Sequence, residues 1–594
     1  DCVAIGYEAL KGNSSTTSTN INGTVAIGKD ALKLCVTGQY NTAIGFSSLT
    51  STVSATGCTA VGYDSLYENT ANDNTAVGRG AMSSNTSGAS STGVGIWAGY
   101  GNETGTANTY VGASAGKGVN GQNNSNNVGI GYNALLDIRT GNDNIAIGHS
   151  ALDDLQTGTR NIAIGYHAGS ATEDVDKVVL IGYNAGAGGN MTSDADGTIA
   201  IGEHAGYALT SGRYNTAIGF QALFAEDDGD KNTAVGYQAL QAQTGTSGDV
   251  NNTAIGYHAG LAITTGVNNT AIGESAMVDL VEGNNNIAIG KAAMGGAMDA
   301  TADASSGNIA IGKDAMGGAW DTATSDYNIA IGEQAMDDAM NDCNYNVAIG
   351  RRAATMLETG DSNIAIGADA LYSAVDVDKC VVIGGDCGQG AMTSAADATI
   401  AIGFAALNGL TSGIGNTALG AWAGFSNAIG DYNTVVGYEA YYSGAPTDTN
   451  GRNVIMGYQS GKYITTGYSN TMIGYAAGYS VSGTPLTGDG NTVVGEGAGY
   501  LLQGSASYNV CIGMTAGNAI TTGDYNVCVG HGSDAAVTSD NQIAIGKGAV
   551  TDGANKGRWG NSSIGTNNIQ TDWTVDSDVR IKKNIEDSDI GLSF

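Results

Sequence analysis

One short string, Asn-Thr-Ala-Ile-Gly, governs what this chain can become. It stands at residues 41–45, 215–219 and 252–256, and variants of it run through almost the whole sequence. Gly45 and Gly62 are 17 residues apart, as are Gly148 and Gly165, and inserted loops stretch the interval to about 22. A fixed period this short, at roughly thirty copies, specifies a solenoid. Because a solenoid lengthens by stacking, 594 residues need not divide into several globular domains.

Each repeat is numbered from its recurrent Gly. Four positions earlier stands Asn, as at Asn144, Asn161, Asn286 and Asn363. Then come Thr, Ile or Val, next Ala, and next Ile or Val, as at Ile147, Ile164, Ile289 and Ile366. Branched residues at every second position read as a short strand, and the Gly permits a turn or a close backbone approach. The position after the Gly accepts Tyr7, Lys29, Arg79, His149 and Glu203, so it is predicted to face solvent. The third position after it is almost always Ala and the fourth is Leu, Met or Gly, a second short strand or turn with a small buried column. Polar residues such as Thr265-Gly266 then turn the chain into the next copy.

A coil of this length is too short for a strand plus a helix and suits two short strands and two turns. The fold class read from the sequence is therefore all-β, a parallel β-solenoid with two-strand coils of about 17 residues over residues 1–550. Coils stacked about 4.8 Å apart would make a rod on the order of 150 Å long. Gly is abundant (94) without the every-third-residue pattern of collagen. The two prolines, Pro446 and Pro485, fall between repeat cores, where no ladder bond is lost. Columns of Ala, Ile and Gly fill only a thin core, and the small Ala and Gly residues form a face that a second chain can approach. Both points predict side-by-side association. The Asn column is predicted to form a hydrogen-bonded ladder along the stack.

The formal net charge of −33 argues against nucleic acid as a partner. No run of eighteen apolar residues exists, so membrane insertion is not expected. The chain opens inside a repeat, at Asp1-Cys2-Val3-Ala4-Ile5-Gly6, and is read as continuing a longer N-terminal sequence. Most of the eight cysteines occupy repeat columns: Cys2, Cys58 and Cys380 the Asn column, Cys511 and Cys528 the Ala column, Cys387 the later Ala column. They read as free small residues, with Cys511 and Cys528 as neighbours on adjacent rungs. His167, His204 and His258 share the second position after the Gly, predicted to be exposed, and none has metal-ligand spacing. Acidic stretches such as residues 226–230 lack calcium-loop spacing and read as solvated loops. No cofactor, metal site or nucleotide-binding motif is expected. A polysaccharide-degrading activity would need a carboxylate pair in a groove, and no pair stands out.

The repeated Asn-Thr-Ala-Ile-Gly unit resembles the head repeat of trimeric autotransporter adhesins, the YadA-like head. That resemblance covers residues 1–550 and implies a left-handed β-roll with three chains side by side. The period here is longer than that family's usual coil, and no C-terminal membrane anchor is seen in this sequence. Beyond Gly546 the repeat fades, and residues 551–576 read as a stem or cap.

The segment Ser577-Asp578-Val579-Arg580-Ile581-Lys582-Lys583-Asn584-Ile585 is a different signal. It resembles the opening of the endosialidase-type intramolecular chaperone, found at the C-termini of phage tail fibres and spikes. The match covers residues 577–594. It implies a domain that drives trimerisation and then cuts itself away between Ser577 and Asp578. Ser577 would be the nucleophile and Lys582 its general base, since a hydroxyl needs an adjacent base to attack a peptide bond. Together these features predict a homotrimeric tail-fibre or spike shaft at the virion surface or in the extracellular space. Its partner would be a host cell-surface receptor, glycans among the candidates. It is not expected to be an enzyme apart from this autoproteolysis. The alternative is the head of a bacterial trimeric surface adhesin. The longer inserts at residues 11–23, 297–307 and 441–452 are the expected places for variable contacts.

Overall fold

A computed structural model describes residues 1–564, except 13–19, 245–246, 298–303, 321–322 and 447–448. The chain is an all-β parallel solenoid with coils of about 17 residues, as the repeat predicts. It divides into two compact units, Asp1–Arg452 and Asn453–Phe594.

In the first unit, three-residue strands recur from Val3–Ile5 to Thr434–Val436. Each pairs in parallel with the strand one coil later, and like columns meet: Thr42 with Thr59, Ala43 with Ala60, Ile44 with Val61. Only two 3₁₀ turns interrupt the pattern among the described residues, Ser193–Ala195 and Ser394–Ala396. A second, two-rung ladder joins Gly229–Asp230 to Gly248–Asp249. In the second unit a ladder of the same kind runs from Val454–Met456 to Gly557–Trp559, and its last pairing sets Ile543 beside Gly557.

The segment after each Gly is a run of turns, not a second strand. Its second and fourth residues take positive φ, as at Asp30 (58°), Leu32 (49°), Ser47 (54°) and Leu49 (49°). Left-handed backbone breaks strand geometry, yet the stacking bonds persist through it. The N–H of Leu32 donates to Ser48 O at 3.0 Å and that of Leu49 to Ser65 O at 3.0 Å. The recurrent Gly itself has φ near +140°, and a Cβ at Gly148 would lie 2.1 Å from Gly165 O. No other residue fits that column.

The strand faces are reversed from the expectation of a small-residue contact face. The Ala column points inward: Ala43, Ala60, Ala146 and Ala163 are fully buried. The branched residues on either side point outward, and Ile164 and Ile255 keep 36% and 40% of their surface exposed. The reason is volume. A one-strand coil has room opposite the strand for a methyl group, because the Leu or Met four residues after the Gly fills the rest.

That fourth position explains its own Leu, Met or Gly alphabet. Left-handed φ favours Gly, while the core favours a large side chain. In several coils where Gly wins, a larger inward strand residue fills the space; in others, such as those of Gly206 and Gly260, Leu209 and Ile263 fill it from the corner. Tyr110 replaces Ala between Gly99 and Gly116, and Leu180 does so between Gly169 and Gly186. A Cβ at Gly169 would lie 2.6 Å from Leu180 Cδ1. The buried Tyr110 hydroxyl donates to Asn124 Oδ1 at 2.6 Å, so its polar end is satisfied.

The Asn ladder forms as the sequence indicated, with the backbone as its main partner. Asn161 Oδ1 accepts from the Val178 N–H at 3.0 Å. Its amide donates to Val175 O at 2.7 Å. Each Asn thus clamps two segments of the next coil. Seven of the eight cysteines are buried, Cys2 being exposed, and all are free. Cys511 and Cys528 are register partners on adjacent strands.

Candidate functional site

The residues assigned to self-cleavage, Ser577, Asp578 and Lys582, lie outside the described residues. So do parts of the three inserts named above. Two other expectations change. His167, His204 and His258 are half-buried, not exposed. His167 and His258 stack on neighbouring rings, on His149 at 5.5 Å and Tyr257 at 3.9 Å, whereas His204 meets Tyr183 edge-on at 5.5 Å. His258 Nε2 also meets Gln238 Oε1 at 2.9 Å.

Glu226 is the second change, because it is buried rather than solvated. It occupies the interior corner, seven residues after Gly219, where Ile263 and Leu280 stand in later coils. Burial pushes its carboxyl up to about 7, and the Gly229 N–H hydrogen bond opposes that shift. The bond is 2.7 Å long. Carboxylate oxygens of Glu226, Asp227 and Asp228 lie within 4.8 Å of one another. Glu226 is already held by the backbone, so proximity alone does not make this trio a cation site.

A recess lies on the first unit, where three successive coils expose the first, second and fifth positions after their Gly. It has a volume of about 360 Å³ and is lined by Tyr63, Asp64, Arg79, Gly80, Ser83, Trp97 and Tyr100. Gly80 makes it. A Cβ there would lie 2.8 Å from Trp97 Cδ1, so the bare backbone forms a floor across which the indole lies. Trp97 in turn gathers two cations from the coils on either side. The Arg79 guanidinium carbon is 4.7 Å from the ring centroid, and Lys117 Nζ is 5.3 Å from it. Such contacts hold a cation without neutralising it. Neither cation has a carboxylate partner among the ion pairs of the described residues.

Asp64 supplies the recess with its acceptor. Partial burial raises its pKa, and a hydrogen bond with Tyr63 works the other way. The recess therefore combines aromatic walls, the Arg79 cation with Lys117 nearby on the Trp97 ring, and one carboxylate. Column reading missed it because each residue alone fits its column. The available signal was the succession Gly80 then Trp97 at one column, beside Arg79 at the next. Among the described residues no helix is long and apolar enough to cross a membrane. No protein-family description and no curated protein matches this sequence.

Proposed function

We propose that this chain is the shaft of a homotrimeric host-attachment fibre, a structural and adhesive protein displayed at a virion surface. One observation carries the reading. The Ile, Val or Leu just before each recurrent Gly forms an unbroken apolar stripe along the strands of the first unit, which a single chain leaves partly in water. Ile44, Ile130, Ile218, Ile289, Ile349 and Leu419 all lie on it. An exposed apolar surface of that extent is unusual for a lone soluble chain and marks an interface. Two further copies of the same chain are the occupants with a matching repeat, because only an identical period stays in register over many coils. The net charge of −33 keeps such an assembly soluble. The segment 577–594, by its resemblance, supplies the trimerising and self-cleaving step, with Ser577 as nucleophile and Lys582 as base.

The test is native mass spectrometry on the full chain, paired with Ile164→Lys together with Ile255→Lys. The expected result is a trimer for the parent and a shift toward monomer for the double variant. A monomeric parent at micromolar concentration overturns the proposal. The intact mass of the mature chain then reads whether the C-terminus is at Ser577.

A further inference from the structure

We propose that the recess around Trp97 binds an acidic saccharide, a sugar ring carrying a carboxylate. Four features of the recess converge on this chemistry. Its volume of about 360 Å³ suits one or two sugar rings, near the lower end of small-ligand sites. Arg79 and Lys117 are unpaired cations on a chain of net charge −33. Their attraction is local, so it selects a short acidic ligand rather than a long polyanion, which the surrounding field repels. A guanidinium held over an aromatic ring without a carboxylate partner still has N–H groups to offer a ligand carboxylate, which it can meet as a fork.

The rest of the lining is suited to hydroxyl groups. Ser83, Tyr63 and Tyr100 offer hydroxyls, Trp97 an indole N–H, and Asp64 an acceptor. Aromatic walls bearing polar tips favour a ligand that is apolar on one face and polar at its rim, which describes a pyranose. An aliphatic or purely aromatic ligand would leave these groups unpaired, at a cost in affinity. Gly80 keeps the floor open, since a Cβ there would meet Trp97 Cδ1.

The chemistry of the recess stands by itself. Only the source of the sugar, a host surface, rests on the attachment reading. The experiment separates the two, because it uses purified protein and no cells. Trigalacturonate, neutral galactotriose and inorganic phosphate are titrated by calorimetry and by tryptophan fluorescence. The expected result is binding of trigalacturonate with a fluorescence change that Trp97→Phe abolishes. Arg79→Gln is expected to weaken that binding about tenfold or more, as the loss of a charge-assisted pair does. Arg160→Gln, at an exposed site on another coil, is expected to leave it unchanged. Failure of trigalacturonate to bind, or full binding by Arg79→Gln, overturns the proposal. Equal binding of galactotriose removes the acidic requirement and also overturns it. Equal binding of phosphate reduces the recess to an anion site and overturns the saccharide. Native mass spectra of the same variants show whether the assembly is intact, so loss of the trimer is not mistaken for loss of the ligand.

Discussion

Two stretches of the first unit share one backbone and differ in what closes the interior corner seven residues after each Gly. In the coils from residue 131 to residue 215 the corner is mostly apolar: Ile138, Leu155 and Leu209 are fully buried there. In the coils from residue 45 to residue 107 it is polar: Thr52, Asn69 and Asn85 are fully buried and Asn102 nearly so. The strands are in register in both stretches. Ladder hydrogen bonds and the recurrent Gly therefore set the coil, and the corner is filled afterwards. Polar filling is tolerated where it is paired. Asn102 donates to Gly105 O at 3.2 Å and accepts from its N–H at 3.1 Å. Asn69 donates to Ala71 O at 2.8 Å and accepts from the Asn74 amide at 2.9 Å. Thr52 donates to Asn69 O at 2.6 Å.

The strongest way to break the comparison is to move the polar filling into the apolar stretch. Leu155 Cδ1 lies 2.8 Å from where a Cβ of Gly158 would be, so the two close the corner together. Leu155→Asn removes that apolar contact and buries an amide. The expected loss is about 4 kcal/mol of local stability, from lost burial plus an amide out of water. Amide hydrogen exchange on strands Ile145–Ile147 and Ile162–Ile164 reads it locally, which a global melt of a repeat array does not. A loss below about 1 kcal/mol would mean that the new amide pairs with Gly158 as Asn102 pairs with Gly105. The corner would then be interchangeable throughout.

The same comparison shows what was legible in the sequence. Period, strand, Gly turn and the Asn ladder all follow from column identity, because stacking places like residues together. The inward side of the strand does not follow. Alternation of Ala163 with Ile162 and Ile164 states that two faces exist, while enclosed volume decides which is inside. Thr265-Gly266 reads as a polar turn, yet Gly266 is core wall, with Gly283 O 2.5 Å from any Cβ added there. Glu226 reads as loop in an acidic run, and only its count from Gly219 reveals a core position. The recess at Trp97 needs three coils laid side by side, since none of its residues breaks a column rule alone. The self-cleavage residues rest on local pattern, with no contact described for them.

A second break in the comparison is set by pH. Glu226 and its neighbour one coil on, Gln243, put polar groups where Ile263 and Leu280 follow. The folded pKa of Glu226 is raised to about 7 from an ordinary 4.5, so the folded coil holds its proton more tightly than the unfolded chain does. The stabilisation is complete below about 4.5 and is lost as pH rises through about 7. Fully ionised, the buried carboxylate costs about 3 kcal/mol. Exchange protection of the Gly229 and Lys231 amides, corrected for intrinsic rates, is expected to be higher at pH 5 than at pH 8. Glu226→Gln is expected to hold the higher value at both. Protection that does not differ between pH 5 and pH 8 in the parent would place the carboxylate in contact with water.

The smallest expected effect runs in the opposite direction. Asn85 is fully buried, and both its amide nitrogen and its oxygen lack a hydrogen-bond partner. Its nitrogen lies 2.7 Å from where a Cβ of Gly88 would be, the same wall that Leu155 meets at Gly158. The Gly88 carbonyl is taken by Asn74, at 2.7 Å, whereas Gly105 leaves both its N–H and its O to Asn102. This corner therefore has the shape of the apolar stretch and the chemistry of the polar one. Asn85→Leu removes an unpaired amide and supplies the side chain that the shape accepts. It is expected to raise local stability by about 1–2 kcal/mol, since unpaired buried polar groups cost that much. Slower exchange of the Thr75–Val77 and Thr92–Val94 amides would register the gain. Faster exchange would mean that the Asn85 amide is paired in solution, and the polar stretch would then be satisfied at every coil.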